Sequence, residues 1–316
     1  MKRKKIANHI VFIVGMHRSG TSLFTNILYK LGYGIDEKYL IQGNFDNRKG
    51  FFESKKIVEL NNSILNFNHI EHNLVKKIIK FNFTQSHKTQ AKNIIKELLL
   101  SAKKEVIFLK DPRFSLLLPF WHEVCYELNL KHSNIVVYRH YKFVCDSLFK
   151  RNVMAPIYSK LLTLFYYVEI FKSYNDANFQ ILNINNFLLT PKIYIKKIFK
   201  NLKLDYDEKK LIQKFQSIFN EKLLTKNSGI DFQSNYELDR LLTKIEKTLH
   251  SSNLTEMNIN KFFDNEKKAI EDQYNYMQYM YEIKNAELFS QKNFKKLFLL
   301  NFNKKKSIFN FFKKTL

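Results

Sequence analysis

Residues 15–22 read Gly-Met-His-Arg-Ser-Gly-Thr-Ser, which sets two glycines five positions apart and follows them with two hydroxyl side chains. A glycine turn of this kind, feeding a helix N-terminus, gathers backbone N–H groups and a positive dipole end around one point, where a phosphate binds. Arg18, Ser19, Thr21 and Ser22 add side-chain donors. The candidate anion-binding set is Gly15, His17, Arg18, Ser19, Gly20, Thr21 and Ser22. In the triphosphate-binding pattern G-x-x-x-x-G-K-[ST], a lysine grips the β- and γ-phosphates beside Mg²⁺. This chain has Thr21 there, so a triphosphate would be poorly held.

A second cluster is Lys110-Asp111-Pro112-Arg113. Its carboxylate could hold a metal at the end of a strand. The flanking cations argue against that, because two positive side chains already neutralise Asp111, and no metal is expected. His122-Glu123 has Tyr126 where a zinc-protease motif needs its second histidine, and no nucleophile elbow anchors a Ser-His-Asp set. His69 and His72 form an isolated pair expected at the surface.

The elements that must position these residues follow from periodicity. Residues 10–14 are β-branched and aromatic, as in a strand buried on both faces. Ser19 and Thr21 are expected to cap the helix beyond it, in which Leu23, Phe24, Ile27, Leu28 and Leu31 recur at helical spacing, and Gly32 and Gly34 end it. Further strands are predicted over 106–112, 134–140 and 179–187, with helices after 140 and over 191–202. Strands alternating with helices predict an α/β fold, a P-loop-like doubly wound parallel sheet flanked by helices. Its ligands would sit at the carboxyl ends of the strands. Past 205 the pattern is helical over 207–220, 237–251 and 258–290. The expected division is an α/β core over 1–205, a helical C-terminal extension over 206–287 and a basic, aromatic-rich tail over 288–316.

"GMHRSGTSL" resembles the phosphosulfate-binding loop of sulfotransferases that use 3′-phosphoadenosine 5′-phosphosulfate, in particular a bacterial branch with a GMHRSGTS start. "NRKGFFESKKIVELNNSIL" (47–65), "LKDPRFSLLLPFW" (109–121) and "VVYRHYKFVCDSLFKRN" (136–152) match that branch in order, so the resemblance covers roughly 10–205. It implies that the missing lysine is dispensable, because a sulfuryl group carries less charge than a γ-phosphoryl and its transfer needs no metal. It implies that the loop holds the 5′-phosphate and that Arg18, where many relatives have lysine, stabilises the leaving phosphate. Arg139 and Ser147 would grip the 3′-phosphate with help from Arg151, one turn further along the same helix face. Lys110 and Asp111 would serve the reacting centre and Arg113 the substrate. Glu53, among aromatic neighbours that can raise its pKa, is the first candidate for the base that deprotonates the acceptor hydroxyl; Asp111 and His17 are the alternatives. The acceptor expected is a carbohydrate or surface polysaccharide. A small-molecule kinase or NTPase, or a non-catalytic anion- or membrane-binding protein, remains open on the residues alone.

Composition sets the surroundings. Fifty-three basic against 29 acidic residues give a formal charge of +24, which suits anionic ligands or surfaces. No nucleic-acid recognition motif accompanies the charge, so nucleic acid is not expected as a partner. Cys125 and Cys145 have no paired spacing and are expected as reduced core thiols, pointing to the cytoplasm. The basic start followed by a short apolar run is expected to be a leader and a first strand rather than a secretory signal. The tail has eight lysines and no acidic residue, and it could rest peripherally on an anionic membrane face.

Overall fold

The computed structural model describes residues 7–42, 50–70, 81–174, 179–204, 207–218, 236–251, 254–280 and 282. The sheet is built from β1 (His9–Val14), β2 (Val106–Lys110), β3 (Lys131–Tyr138) and β4 (Phe179–Asn183), all parallel, in the order β2-β1-β3-β4. β1 is central and buried throughout, which is why it reads as an unbroken apolar run. Its alternate side chains serve two cores. Val11 and Ile13 face one side with α1 (Thr21–Lys30), α7 (Ile184–Leu189), α8 (Pro191–Leu202) and α9 (Glu208–Ile218). Ile10, Phe12 and Val14 face the other. There they meet α2 (Lys55–Phe67), α3 (Gln85–Ser101), α4 (Phe114–Glu127), α5 (Tyr141–Asn152), α6 (Pro156–Lys172), α10 (Tyr236–His250) and α11 (256–280).

The α/β class and the helix-flanked parallel sheet are as expected, with differences at element ends. β4 stops at Asn183 instead of running to 187, because the Asn183 side chain accepts from the N–H groups of Asn185 and Asn186 and so starts α7. β3 begins three residues earlier than periodicity suggested, where Lys131 pairs with His9. α1 is not capped by Ser19 or Thr21: Gly20 is its N-cap and carries no side-chain cap bond. At its far end Gly32, at φ 89°, closes the helix as expected.

α10 and α11 bury Leu238, Leu241, Ile245, Phe262 and Tyr274 in the core beneath α6. No helix among the described residues is long and apolar enough to cross a membrane. His72, the tail over 288–316 and its expected membrane contact lie outside the described residues. Cys125 and Cys145 are buried and unbonded to each other, and burial pushes both thiols up to about 12.

Candidate active site

β1 and β3 are neighbours, but their following helices leave to opposite faces: α1 to one core and α5 to the other. That divergence opens a crevice at the carboxyl end of the sheet, the usual ligand position in a doubly wound fold. The glycine loop fills its first wall. Gly15 sits at φ 150°, and a Cβ there would stand 2.2 Å from the Val137 carbonyl oxygen, so only glycine lets the loop lie against β3. The loop is pinned from α4, where Ser115 Oγ accepts from Gly15 N at 2.9 Å. Arg18 takes φ 69° and Gly20 φ 96°, a winding that delivers the uncapped start of α1 to the crevice. Ser19 Oγ is buried there without a hydrogen-bond partner.

Three guanidinium groups converge on this wall. Arg18 Nε donates to Ser147 Oγ at 2.8 Å, which ties the loop to α5. Burial lowers the pKa of Arg18, and the charges of Arg151 and Arg139 lower it further. Burial also lowers Arg139, against a favourable contribution from Asp146, and Arg139 Nε is buried without a hydrogen-bond partner. Its guanidinium lies 5.2 Å from the Phe143 ring centre. Mutually repelling, desolvated cations gain most from a polyanion, and the unpartnered Ser19 Oγ and Arg139 Nε are two donors such a ligand would occupy.

The opposite wall comes from β2 and the segment before α2. Lys110 Nζ, at the end of β2, donates to Glu53 Oε1 at 2.5 Å, Ser22 Oγ at 3.0 Å and the Phe51 carbonyl at 3.3 Å. A cation therefore does reach the loop, from a neighbouring strand rather than from position 21. Burial raises the Glu53 pKa; Lys110 opposes this and Asp111 adds to it. Asp111 is fully enclosed and its oxygens are occupied. Oδ1 accepts from Arg113 N and Arg113 Nη1, both at 2.9 Å, and Oδ2 accepts from Asn61 Nδ2 at 2.9 Å. Burial alone would lower the Arg113 pKa, but Asp111 and Glu53 carry it upward. Arg113 Nη1 lies 4.0 Å from Glu53 Oε2, and its Nε donates to Asn62 Oδ1 at 2.6 Å. His17, Arg18, Ser22, Glu53, Lys110, Arg113 and Arg151 share a cleft of about 200 Å³ with Phe51, Leu148 and Met154.

No family model matches the chain, and no curated protein does. Solved structures do. The sulfotransferase STF9 from Mycobacterium avium is 9% identical with a TM-score of 0.50, over 77% of this chain and 77% of its own. The sulfotransferase domain of a Synechococcus olefin synthase is 13% identical with a TM-score of 0.48, over 79% of this chain and 97% of its own. The sulfotransferase domain from the curacin biosynthetic pathway is also 13% identical with a TM-score of 0.48, over 77% of this chain and 98% of its own. The chain has the sulfotransferase fold.

On that sulfotransferase fold the expected site residues form two groups. Arg18, Ser147, Arg139 and Arg151 gather on one wall; Glu53, Lys110, Asp111 and Arg113 gather on the other, with Ser22 touching Lys110 between them. Several residues that matter escaped sequence reasoning. Tyr166, inside the apolar helix α6, holds His17 Nε2 at 3.0 Å with its hydroxyl, which burial keeps protonated. Asn61 links Asp111 to Trp121, whose Nε1 donates to Asn61 Oδ1 at 2.9 Å. Asn61 and Asn62 stand in the motif at 47–65, and two amides entering an amphipathic helix were the one available signal. Ser115 gave none.

Proposed function

We propose that this protein transfers a sulfuryl group from 3′-phosphoadenosine 5′-phosphosulfate to a hydroxyl acceptor, with a carbohydrate as the acceptor class. The observation that carries this is the clustering of Arg18, Arg139 and Arg151 beside the glycine loop, where Arg18 donates to Ser147 Oγ and Ser19 Oγ and Arg139 Nε are unpartnered. When bound, the cofactor supplies an activated sulfuryl group on a phosphate that can leave. The loop N–H groups, Ser19, Thr21 and Ser22 would hold its 5′-phosphate, with Gly15, His17 and Gly20 shaping the turn. Arg139, Ser147 and Arg151 would hold the 3′-phosphate.

The residues of the chain then divide the chemistry. Arg18 and Lys110 would stabilise the negative charge that develops on the departing phosphate, and charges fixed in advance cost no reorganisation during the reaction. Glu53 Oε1 takes the acceptor proton, with Lys110 steadying the carboxylate and Arg113 standing by its second oxygen. Asp111 acts by holding Arg113 in place. The cleft beside Glu53 carries His17, Arg113 and Asn152, hydrogen-bonding groups suited to a polyhydroxylated acceptor. A glycan acceptor and a cytoplasmic setting, with the tail resting on the membrane, complete the reading.

A thermal-shift titration tests the cofactor. 3′-Phosphoadenosine 5′-phosphate, ADP and ATP with Mg²⁺ are compared on wild type and Arg139→Ala. A ligand at 100 times its Kd stabilises by about 2.7 kcal/mol, a readily measured rise in melting temperature. Stabilisation by the 3′-phosphorylated nucleotide alone, abolished in Arg139→Ala, is expected. Stronger stabilisation by ATP with Mg²⁺ would make the protein a kinase or NTPase and end this reading.

A further inference from the structure

We propose that Glu246, on α10, is a positioning residue that sets the direction of Arg139 toward the 3′-phosphate, an inference resting on the sulfotransferase reading above. α10 lies beyond the stretch that carries the motifs, and nothing in its sequence marks it as part of a nucleotide site. Yet Glu246 is buried against the turn between β3 and α5, and its Oε1 accepts from Tyr141 N at 2.5 Å. Its Oε2 lies 3.7 Å from His140 Nε2. The first N–H groups of a helix lack partners within it, and a carboxylate at that end also meets the positive dipole. Here the carboxylate is delivered from a different helix, while His140 Nδ1 takes the next N–H, that of Lys142, at 3.3 Å.

The helix that carries the carboxylate is itself held near both ends. Lys160 Nζ on α6 donates to Asp239 at 2.9 Å, and the Tyr138 hydroxyl pairs with His250 Nδ1 at 2.5 Å. The turn it clamps contains Arg139 and opens the helix that carries Ser147 and Arg151. Besides this clamp, the Arg139 carbonyl accepts from the Tyr167 hydroxyl at 3.4 Å, and its guanidinium rests on Phe143. Its buried Nε has no hydrogen-bond partner to aim it. Phe143 and the charge of Asp146 act on the guanidinium itself, whereas the direction in which the side chain leaves the turn is set through the backbone, and Glu246 is fastened to that backbone segment by its bond from Tyr141 N.

Isothermal titration of the full chain with 3′-phosphoadenosine 5′-phosphate and with adenosine 5′-monophosphate reads this directly. Wild type should prefer the doubly phosphorylated ligand. E246L should lose about tenfold of that preference, the size of one hydrogen bond, while binding the monophosphate as wild type does. E246Q keeps an oxygen acceptor for Tyr141 N and should retain the larger part. Should E246L not fold, E246D, which withdraws the carboxylate by one methylene, is read in the same way. An unchanged preference, or equal weakening for both ligands, overturns the positioning role. No preference in wild type overturns the cofactor reading and this inference with it, so the two failures are told apart.

Discussion

Glu53 and Lys110 share a buried ion pair that also touches the glycine loop through Ser22, so under the proposed function acceptor activation and leaving-group stabilisation would meet in one contact. Removing the carboxylate should therefore cost turnover more than binding. Glu53→Gln is expected to lose roughly 10²–10⁴ in kcat while its affinity for 3′-phosphoadenosine 5′-phosphate is kept; equal losses in both would place Glu53 in binding. Burial raises the Glu53 pKa, and a base works only when deprotonated. kcat/KM should climb as pH rises through that raised value, and the limb should vanish in Glu53→Gln. Arg18→Ala should lower the rate by roughly 10²–10³, and unchanged turnover would show that Arg18 has no part in the transition state.

At the scale of elements, the strand–loop–helix unit works because the loop is packed against β3 with no room for a side chain. Gly15→Ala would press a methyl into the Val137 carbonyl oxygen at a φ that L-residues avoid. It should cost more than about 1 kcal/mol, read as a lower denaturation midpoint together with weakened nucleotide binding. A loss of stability with full binding would mean that the loop tolerates displacement. The unit was legible in the sequence because its signals are local: an apolar run, two glycines, then apolar residues at helical spacing. The end of β4 was not, because Asn183 lies in a run with strand composition and becomes a helix cap only by turning its side chain onto Asn185 and Asn186. Tyr166 and Glu246 were hidden for a different reason. Each acts across the fold, on His17 and on Tyr141 N, and no periodicity connects positions so far apart in the chain.

At the scale of the molecule, the two ends of the sheet do different work. The carboxyl end holds the cations; the amino end buries histidines. His9 Nε2 pairs with Ser133 Oγ at 3.0 Å, and His122 Nε2 pairs with Asn134 Oδ1 at 3.1 Å and stacks on His132. Burial pulls both His9 and His122 down to about 4, with Lys131 and His132 adding to the effect at His9 and His132 at His122. The unfolded chain binds these protons near the usual histidine value of about 6.5, the folded chain only near 4. Stability is therefore whole above the first value and falls with pH between the two. Denaturant midpoints measured across that window should decline, and His122→Asn should flatten the slope; an unchanged slope would remove His122 from the account.

The central place of β1 bears on how the molecule comes into being. His9 is aligned with Val106 on one side and Lys131 on the other. At about 5–20 residues per second of synthesis, the most apolar strand leaves the ribosome seconds before either neighbour exists. A strand with both edges open is a target for wrong pairing and for chaperones during that interval. Closing two loops of that length onto one strand is also slow, so β1, made before both of its partners, finds its place only late.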